Sequence, residues 1–157
     1  MVTRIDYYND SDAPAANSIF IAVTAVVLDS AGRLLVIRRA DNGRHALPGG
    51  RHELGESMAQ AAVREVFEET GIKAEITGLV GIYSDPEHVV GYSDGRVRQE
   101  FSICFRGRPV SGEPTTSDES TEVRWVDRAE VDQLNIERHM RLRIEHGFAD
   151  RPEPYFT

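Results

Sequence analysis

The stretch from Gly50 to Ile72, GRHELGESMAQAAVREVFEETGI, constrains this chain more than any other. Ser57 followed three residues later by Gln60 has the spacing of a capping box, so a helix is expected to start at about Ser57. Gly71 after Thr70 is the expected stop, because glycine takes the left-handed conformation that a helix end often needs. At 100° per residue, Ala59, Ala62, Val63, Val66 and Phe67 share one side. Glu65, Glu68 and Glu69 share the other at i, i+3 and i+4, where side chains are neighbours and like charges repel. A divalent cation removes that repulsion, and an oxygen-only donor set suits a hard ion such as Mg2+ or Mn2+. The plain alternative is a solvated acidic face with Arg64 as its counter-charge.

Around this helix the pattern is Gly50, five residues, Glu56, seven residues, then Arg64-Glu65-Val66-Phe67-Glu68-Glu69-Thr70-Gly71-Ile72. It resembles the signature of the Nudix hydrolases at every fixed position. Seven identities are demanded. At roughly 5–7% usage per residue type, a chance match at a given start is on the order of one in a hundred million. The resemblance implies an α/β fold, an α/β/α sandwich with a mixed sheet between helices. It implies metal-dependent hydrolysis of a nucleoside diphosphate linked to another moiety, such as a nucleoside triphosphate or ADP-ribose, with water attacking phosphorus. Glu65, Glu68 and Glu69 would hold the ion together with the backbone carbonyl of Gly50, and Arg64 would orient the glutamates. Glu68 and Arg64 thereby count among the catalytic candidates. Glu56, at the positive end of the helix, is a further metal candidate or a capping and ion-pairing residue.

Many members of that family take another glutamate from a loop beyond the motif, as ligand or general base. Glu119 in Ser117-Asp118-Glu119-Ser120 is the first candidate, followed by Glu122 and Glu100; an ordinary surface carboxylate is the alternative for each. Arg38, Arg39 and Arg44 are candidates for binding phosphate, and Tyr83 and Tyr92 for stacking on a base or ribose, with Tyr83 also a core candidate. The glycines of Leu47-Pro48-Gly49-Gly50 permit close backbone approach to metal or phosphate. His45 stands where relatives often carry an aromatic residue such as Trp, so substrate preference does not transfer.

With 157 residues the chain is read as one domain, 1–157, with residues 1–17 polar and frayed and 148–157 an irregular tail. A formal charge of −8 argues against a general nucleic-acid or anionic-membrane surface. The single Cys104 cannot form an internal disulfide, and the one long apolar run, Ile19–Leu28, is too short to span a bilayer. Acidic Asp6, Asp10 and Asp12 precede that run, unlike the basic start of a signal peptide, and the cytoplasm is the expected location. The expected partner is a small nucleotide, not nucleic acid or membrane. Relatives often form homodimers, but no interface is legible here.

In chain order, Ile19–Leu28 reads as a central strand buried on both faces and Asp29-Ser30-Ala31-Gly32 as a turn. Arg33–Arg39 reads as the returning strand of a hairpin. Lys73–Ser84 contains two strand pieces broken at Gly78 and Gly81. Asp85–Gly95 reads as a surface loop, Val97–Phe105 as a strand, Gly107–Ser120 as a second loop and Glu122–Val126 as a strand. A helix is expected over Asp127–Leu134 with Asp127 as N-cap, and a last helix over Met140–His146, ended by Gly147. Trp125 and Cys104 read as packing residues. Two other functions share the fold class. A non-catalytic nucleotide-sensing module would ordinarily have lost motif glutamates or gained a DNA-binding domain. An isopentenyl diphosphate isomerase would use a cysteine just ahead of the motif, and residues 38–48 contain none.

Overall fold

The computed structural model describes residues 1–157. In chain order its elements are β1 (Arg4–Tyr8), β2 (Ser18–Ile19), β3 (Ala22–Val27), β4 (Leu34–Arg39), β5 (His45–Ala46), β6 (Gly49–Arg51), α1 (Met58–Thr70), β7 (Lys73–Tyr83), β8 (His88–Tyr92), β9 (Val97–Gln99), β10 (Ser102–Ser111), β11 (Ser120–Val126), α2 (Arg128–Val131), α3 (Arg138–Ala149) and β12 (Tyr155–Phe156). The apolar run after Ile21 becomes β3, buried from Val23 to Val27. It lies in a mixed five-stranded sheet, β12-β7-β10-β3-β6, parallel to β10 and antiparallel to β6. Alternate side chains of β3 serve opposite faces. Val23 packs with Ala61 and Ala62 of α1, and Ala25 and Val27 with Val66, whereas Val26 packs with Met140 and Ile144 of α3. Helices therefore cover both faces of a mixed sheet, and the class is α/β.

The Asp29 turn forms as expected: its carboxylate accepts from the backbone N–H groups of Ala31 and Arg33 at 3.0 and 2.8 Å. The hairpin does not continue beyond the Leu28–Leu34 bridge. Both edges of β3 are taken, so β4 instead joins β11 and β5 in a second sheet, β11-β4-β5. In a third sheet, β1-β8-β9-β2, the strands β1 and β8 come from segments expected to be frayed or looped. Residues 4–8 pair with 88–92 along their whole length, so the 1–17 and 85–95 readings need correction together. β8 also forms a hairpin with β9, Val89–Gly91 against Val97–Gln99, whereas β1 has no partner nearby in sequence and becomes a strand only through β8, which local pattern cannot show.

The remaining differences have similar causes. The expected Val97–Phe105 strand breaks at Glu100 and Phe101, with β9 joining the third sheet and β10 the first. β7 is continuous; two of the three register shifts in its ladder to β10 fall next to Gly81 and Gly78, which mark bulges, not strand ends. β10 runs on to Ser111 and β11 begins at Ser120, shortening the second loop to 112–119. Only Arg128–Val131 is helical in the 127–134 segment, and Asp127 makes no side-chain cap bond. The tail contributes β12, parallel to β7.

Helix α3 also runs past its expected stop, to a left-handed Asp150 with φ 45°. Gly147 sits inside it because Val26 leaves no room for a side chain: a Cβ there would lie 2.7 Å from two Val26 methyls. Gly147→Val should therefore destabilise the fold by roughly 1–3 kcal/mol through overpacking. Urea unfolding checks this, and a midpoint equal to wild type would contradict the packing of α3 on β3.

Candidate active site

Both ends of α1 are fixed as the sequence expects. Ser57 Oγ accepts from the Gln60 N–H at 3.2 Å, and Gln60 Oε1 accepts from the Ser57 N–H at 2.7 Å. Gly71 closes the helix at φ 73°, its N–H donating to Phe67 O at 2.9 Å. The buried side is rotated from the expected one. Ala61, Ala62, Val66 and Thr70 face the sheet, Phe67 is exposed, and Glu69 is buried with 6% exposure. Rotation carries Glu69 to the rim of the core, under the turn that precedes the helix.

Arg64 is the centre of the acidic face. Its Nε and Nη2 donate to the two oxygens of Glu56 at 2.9 and 2.7 Å. Its Nη1 donates to Glu65 at 2.8 Å and Glu68 at 3.1 Å, and its Nη2 also to Arg51 O at 2.9 Å. Glu56 has a further donor in the Glu53 N–H at 2.8 Å, so its oxygens are well occupied. The Arg64 hydrogen bonds hold the Glu56 carboxyl far below the usual carboxylate range.

Glu65 and Glu69 point toward the glycine turn. A Cβ on Gly50 would lie 2.5 Å from the Glu65 carboxyl, so a side chain there would displace that carboxylate. Glu69 Oε2 accepts from the Gly49 N–H at 3.1 Å. Burial pushes Glu69 up to about 8 despite that bond, with the charges of Glu65 and Glu119 adding to it. Burial raises Glu65 as well, against the opposing pull of Arg64. Two desolvated carboxylates beside the Gly49-Gly50 backbone, with the charge of Glu119 acting on both, are what a hard divalent cation would satisfy. Oxygen-only chemistry and close backbone approach both fit that ion.

Of the three loop and strand carboxylates, Glu119 is the one whose charge acts on both Glu65 and Glu69. Glu122 is held by Arg124 at 2.6 Å and reaches His45 Nε2 at 3.4 Å. Glu100 faces Arg143 at 3.5 Å on the wall of a separate cavity. Arg39 bonds Asp41 at 2.9 and 2.6 Å, and its charge also reaches Glu69. Arg44 pairs with Glu137. Arg39 and Arg44 together line a small cleft with Arg4 and His139. Arg38 turns away, its Nε donating to Gly43 O at 3.0 Å. Tyr83 is a core residue whose hydroxyl meets His146 Nδ1 at 2.8 Å, and one side of it lines the cavity. Tyr92 lies between Arg96 and Arg98, with their guanidinium carbons 4.9 and 4.7 Å from its ring centre, and lines neither space.

A second polar cluster has no local signal in the sequence. Asp6, His88 and His139 bring potential ligand atoms within 4.8 Å of one another. Their valences are already used: Asp6 Oδ1 meets His88 Nε2 at 2.9 Å, Arg4 donates to both Asp6 oxygens at 2.9 Å, and Tyr8 Oη meets His139 Nδ1 at 2.7 Å. Burial works against the Asp6 charge, yet the bonds from His88 and Arg4 hold its carboxyl well below the usual range. Burial and the charge of Arg143 push His139 well down. With Arg4 and Arg143 close by, the cluster is a hydrogen-bonded wall and a poor cation site. The pairing of β1 with β8 brings Asp6 to His88 and the packing of α3 adds His139, so no local signal pointed to them.

The family model described as the NUDIX domain matches residues 19–145. The chain belongs to the Nudix family. A MutT-like protein of Streptomyces ambofaciens is 40% identical over 137 residues, covering 87% of this Nudix chain and 81% of the relative. An ADP-ribose pyrophosphatase of Methanocaldococcus jannaschii is 32% identical over 120 residues, covering 74% and 68%. Among solved structures, a NUDIX hydrolase from Nitrosomonas europaea superposes with a TM-score of 0.71 at 24% identity, covering 89% of this chain and 78% of that one. That likeness supports the fold, helices about a mixed sheet.

The burial of Glu69 sets a pH dependence for the metal-free protein. Its pKa is raised above the unfolded value, so the stability tied to its protonated form is full below about 4.5 and is lost as pH rises through about 8. Thermal melts in chelator should show Tm falling over that window in wild type and a flatter profile in Glu69→Gln. Parallel profiles would contradict the burial of this charge.

Proposed function

We propose that this protein is a metal-dependent Nudix pyrophosphohydrolase that cleaves a nucleoside diphosphate linked to another moiety. The chain is a hydrolase acting on phosphorus-containing anhydrides, the class of its family and of its pyrophosphatase-named relative. The observation that carries the reading is the desolvated pair Glu65 and Glu69 against Gly49 and Gly50 of β6, with the charge of Glu119 acting on both. Glu65, Glu68 and Glu69, with the Gly50 carbonyl, would hold Mg2+ or Mn2+. Once bound, such an ion neutralises charge developing on phosphate and lowers the pKa of an attacking water.

Each residue then has a role that its surroundings support. Arg64 aims the glutamates, and Glu56 anchors Arg64 and is not left free for the ion. Glu119 takes the proton of the attacking water at its carboxylate, since Glu122 and Glu100 are engaged with arginines elsewhere. Arg39, next to Glu69 at the head of the small cleft, receives phosphate oxygens, with Arg44 and Arg4 further along. Diphosphate isomer chemistry relying on a thiol is disfavoured, because Cys104 is fully buried within the core. No helix is long and apolar enough to cross a membrane. This fits a nucleotide substrate met in the cytoplasm.

Glu69→Gln should leave the fold intact and remove nearly all metal-dependent turnover of nucleoside diphosphate derivatives. Glu119→Gln should lower kcat by roughly 10²-fold or more, as for loss of a general base, with metal affinity little changed. Steady-state kinetics on folded variants checks both. Near wild-type turnover in Glu69→Gln would overturn the reading.

A further inference from the structure

A stripe of alternating arginines and aromatic rings starts one residue past Gly50. The Arg51 guanidinium carbon lies 5.5 Å from the Phe20 ring centre, and that of Arg98 only 3.4 Å from the same ring. Tyr92 continues the stripe between Arg98 and Arg96. Arg96 is neutralised by Asp94 at 2.7 Å, whereas Arg51, exposed, and Arg98, half-buried, pair with no carboxylate. A guanidinium over an aromatic face is attracted to it, but two guanidiniums on one ring repel each other. In a chain of formal charge −8 such an unneutralised pair is the counterpart of the crowded glutamates. A multivalent anion removes its repulsion as a divalent cation removes theirs.

We infer that Arg51 and Arg98, braced on Phe20, grip a phosphate beyond the scissile bond, so that the preferred substrate carries a run of three or more phosphates. The inference rests on the proposed nucleotide hydrolase activity. Strand β6 runs along α1 so that Gly49 meets Glu69, Gly50 meets Glu65 and the Arg51 carbonyl accepts from Arg64. The charge of Arg39 acts at the Glu69 end of that line, and Arg51 stands at the other end. Alternation sends the Arg51 side chain to the face opposite Gly50. β6 is the outermost strand of its sheet, however, so a phosphate chain laid along its open edge passes the glutamates and reaches both arginines. With one phosphate at the glutamates and one at Arg39, the group at Arg51 and Arg98 is a third. The arginine fork matches phosphate oxygens, and stacking holds the Arg98 plane in place. In ADP-ribose or a nucleotide sugar this position falls to an uncharged sugar, whose hydroxyls leave both guanidiniums without a counter-charge.

Two measurements on the full chain test this. The first follows the side-chain Nε–H resonances of Arg51 and Arg98 by NMR during titration with inorganic tripolyphosphate in chelator, independent of turnover. Arg51→Gln and Arg98→Gln assign the two signals, and both should shift. The second is the ratio of kcat/KM for ATP to that for ADP-ribose in magnesium, two substrates with the same base. ATP should be favoured about tenfold or more, and Arg98→Gln should bring the ratio to within about threefold of one, the loss expected for a charged hydrogen-bond pair. Arg51→Gln, at an exposed side chain, is measured beside it and should move the ratio the same way. Shifts at both arginines without hydrolysis of either compound would support the clamp while overturning the proposed activity. Hydrolysis with shifts absent from both arginines, or with a ratio unmoved in both variants, would overturn the clamp and leave the activity standing. Absence of both shifts and turnover would overturn the two together.

Discussion

The guanidinium of Arg64 spends its donors on Glu56, Glu65, Glu68 and the Arg51 carbonyl, and so ties the loop before α1 to the acidic face of that helix. Without it, three glutamates at adjacent positions would spread apart to lower their repulsion. With it, Glu65 is drawn in toward Gly50 while Glu69, one turn on, is buried beneath Gly49. An isolated surface ion pair contributes little. Here the charges share one planar donor in a partly buried setting, so the contribution is orientation more than stability. Two carboxylates remain short of positive charge, and the site is left electrostatically incomplete in a way that a divalent ion corrects.

Position is set from both sides of the sheet. β3 sends alternate residues to α1 and α3, so the helix bearing the glutamates and the helix bearing Arg143 are fixed relative to one strand. β6, carrying Gly49 and Gly50, pairs with β3 and completes the floor under the carboxylates. The β1-β8-β9-β2 sheet then brings Tyr8 and His88 against His139 of α3, walling the cavity.

What could be read from the sequence was local. The capping box, the glycine stop, the buried run of β3, the Asp29 turn and the burial of Cys104 all depend on residues a few positions apart or on one residue's own chemistry, and all are present. The spacing of Arg64 and Glu68 made their contact legible too. Periodicity alone misplaced Phe67 and Glu69, since the helix is seated by the fit of Ala61, Ala62 and Val66 on the sheet. Strand β8 was missed because Pro86, Gly91 and Gly95 around it read as a loop although it pairs locally with β9, and β1 because its partner lies eighty or more residues away. For the same reason nothing marked Arg4, Asp6, His139 or Arg143 in advance. Arginines on a polar helix read as solvated until the tertiary fold buries one of them.

The central claim is that the crowded carboxylates of α1 and the Gly50 carbonyl form a divalent-metal site, while the Asp6-His88-His139 cluster does not. The most direct measurement is an anomalous difference map from crystals of the wild-type protein grown in manganese. The account predicts peaks beside Glu65 and Glu69, within coordination distance of Gly50 O, and none at His88 or His139. A map with no peak at the glutamates, or with its strongest peak between the two histidines, would contradict it.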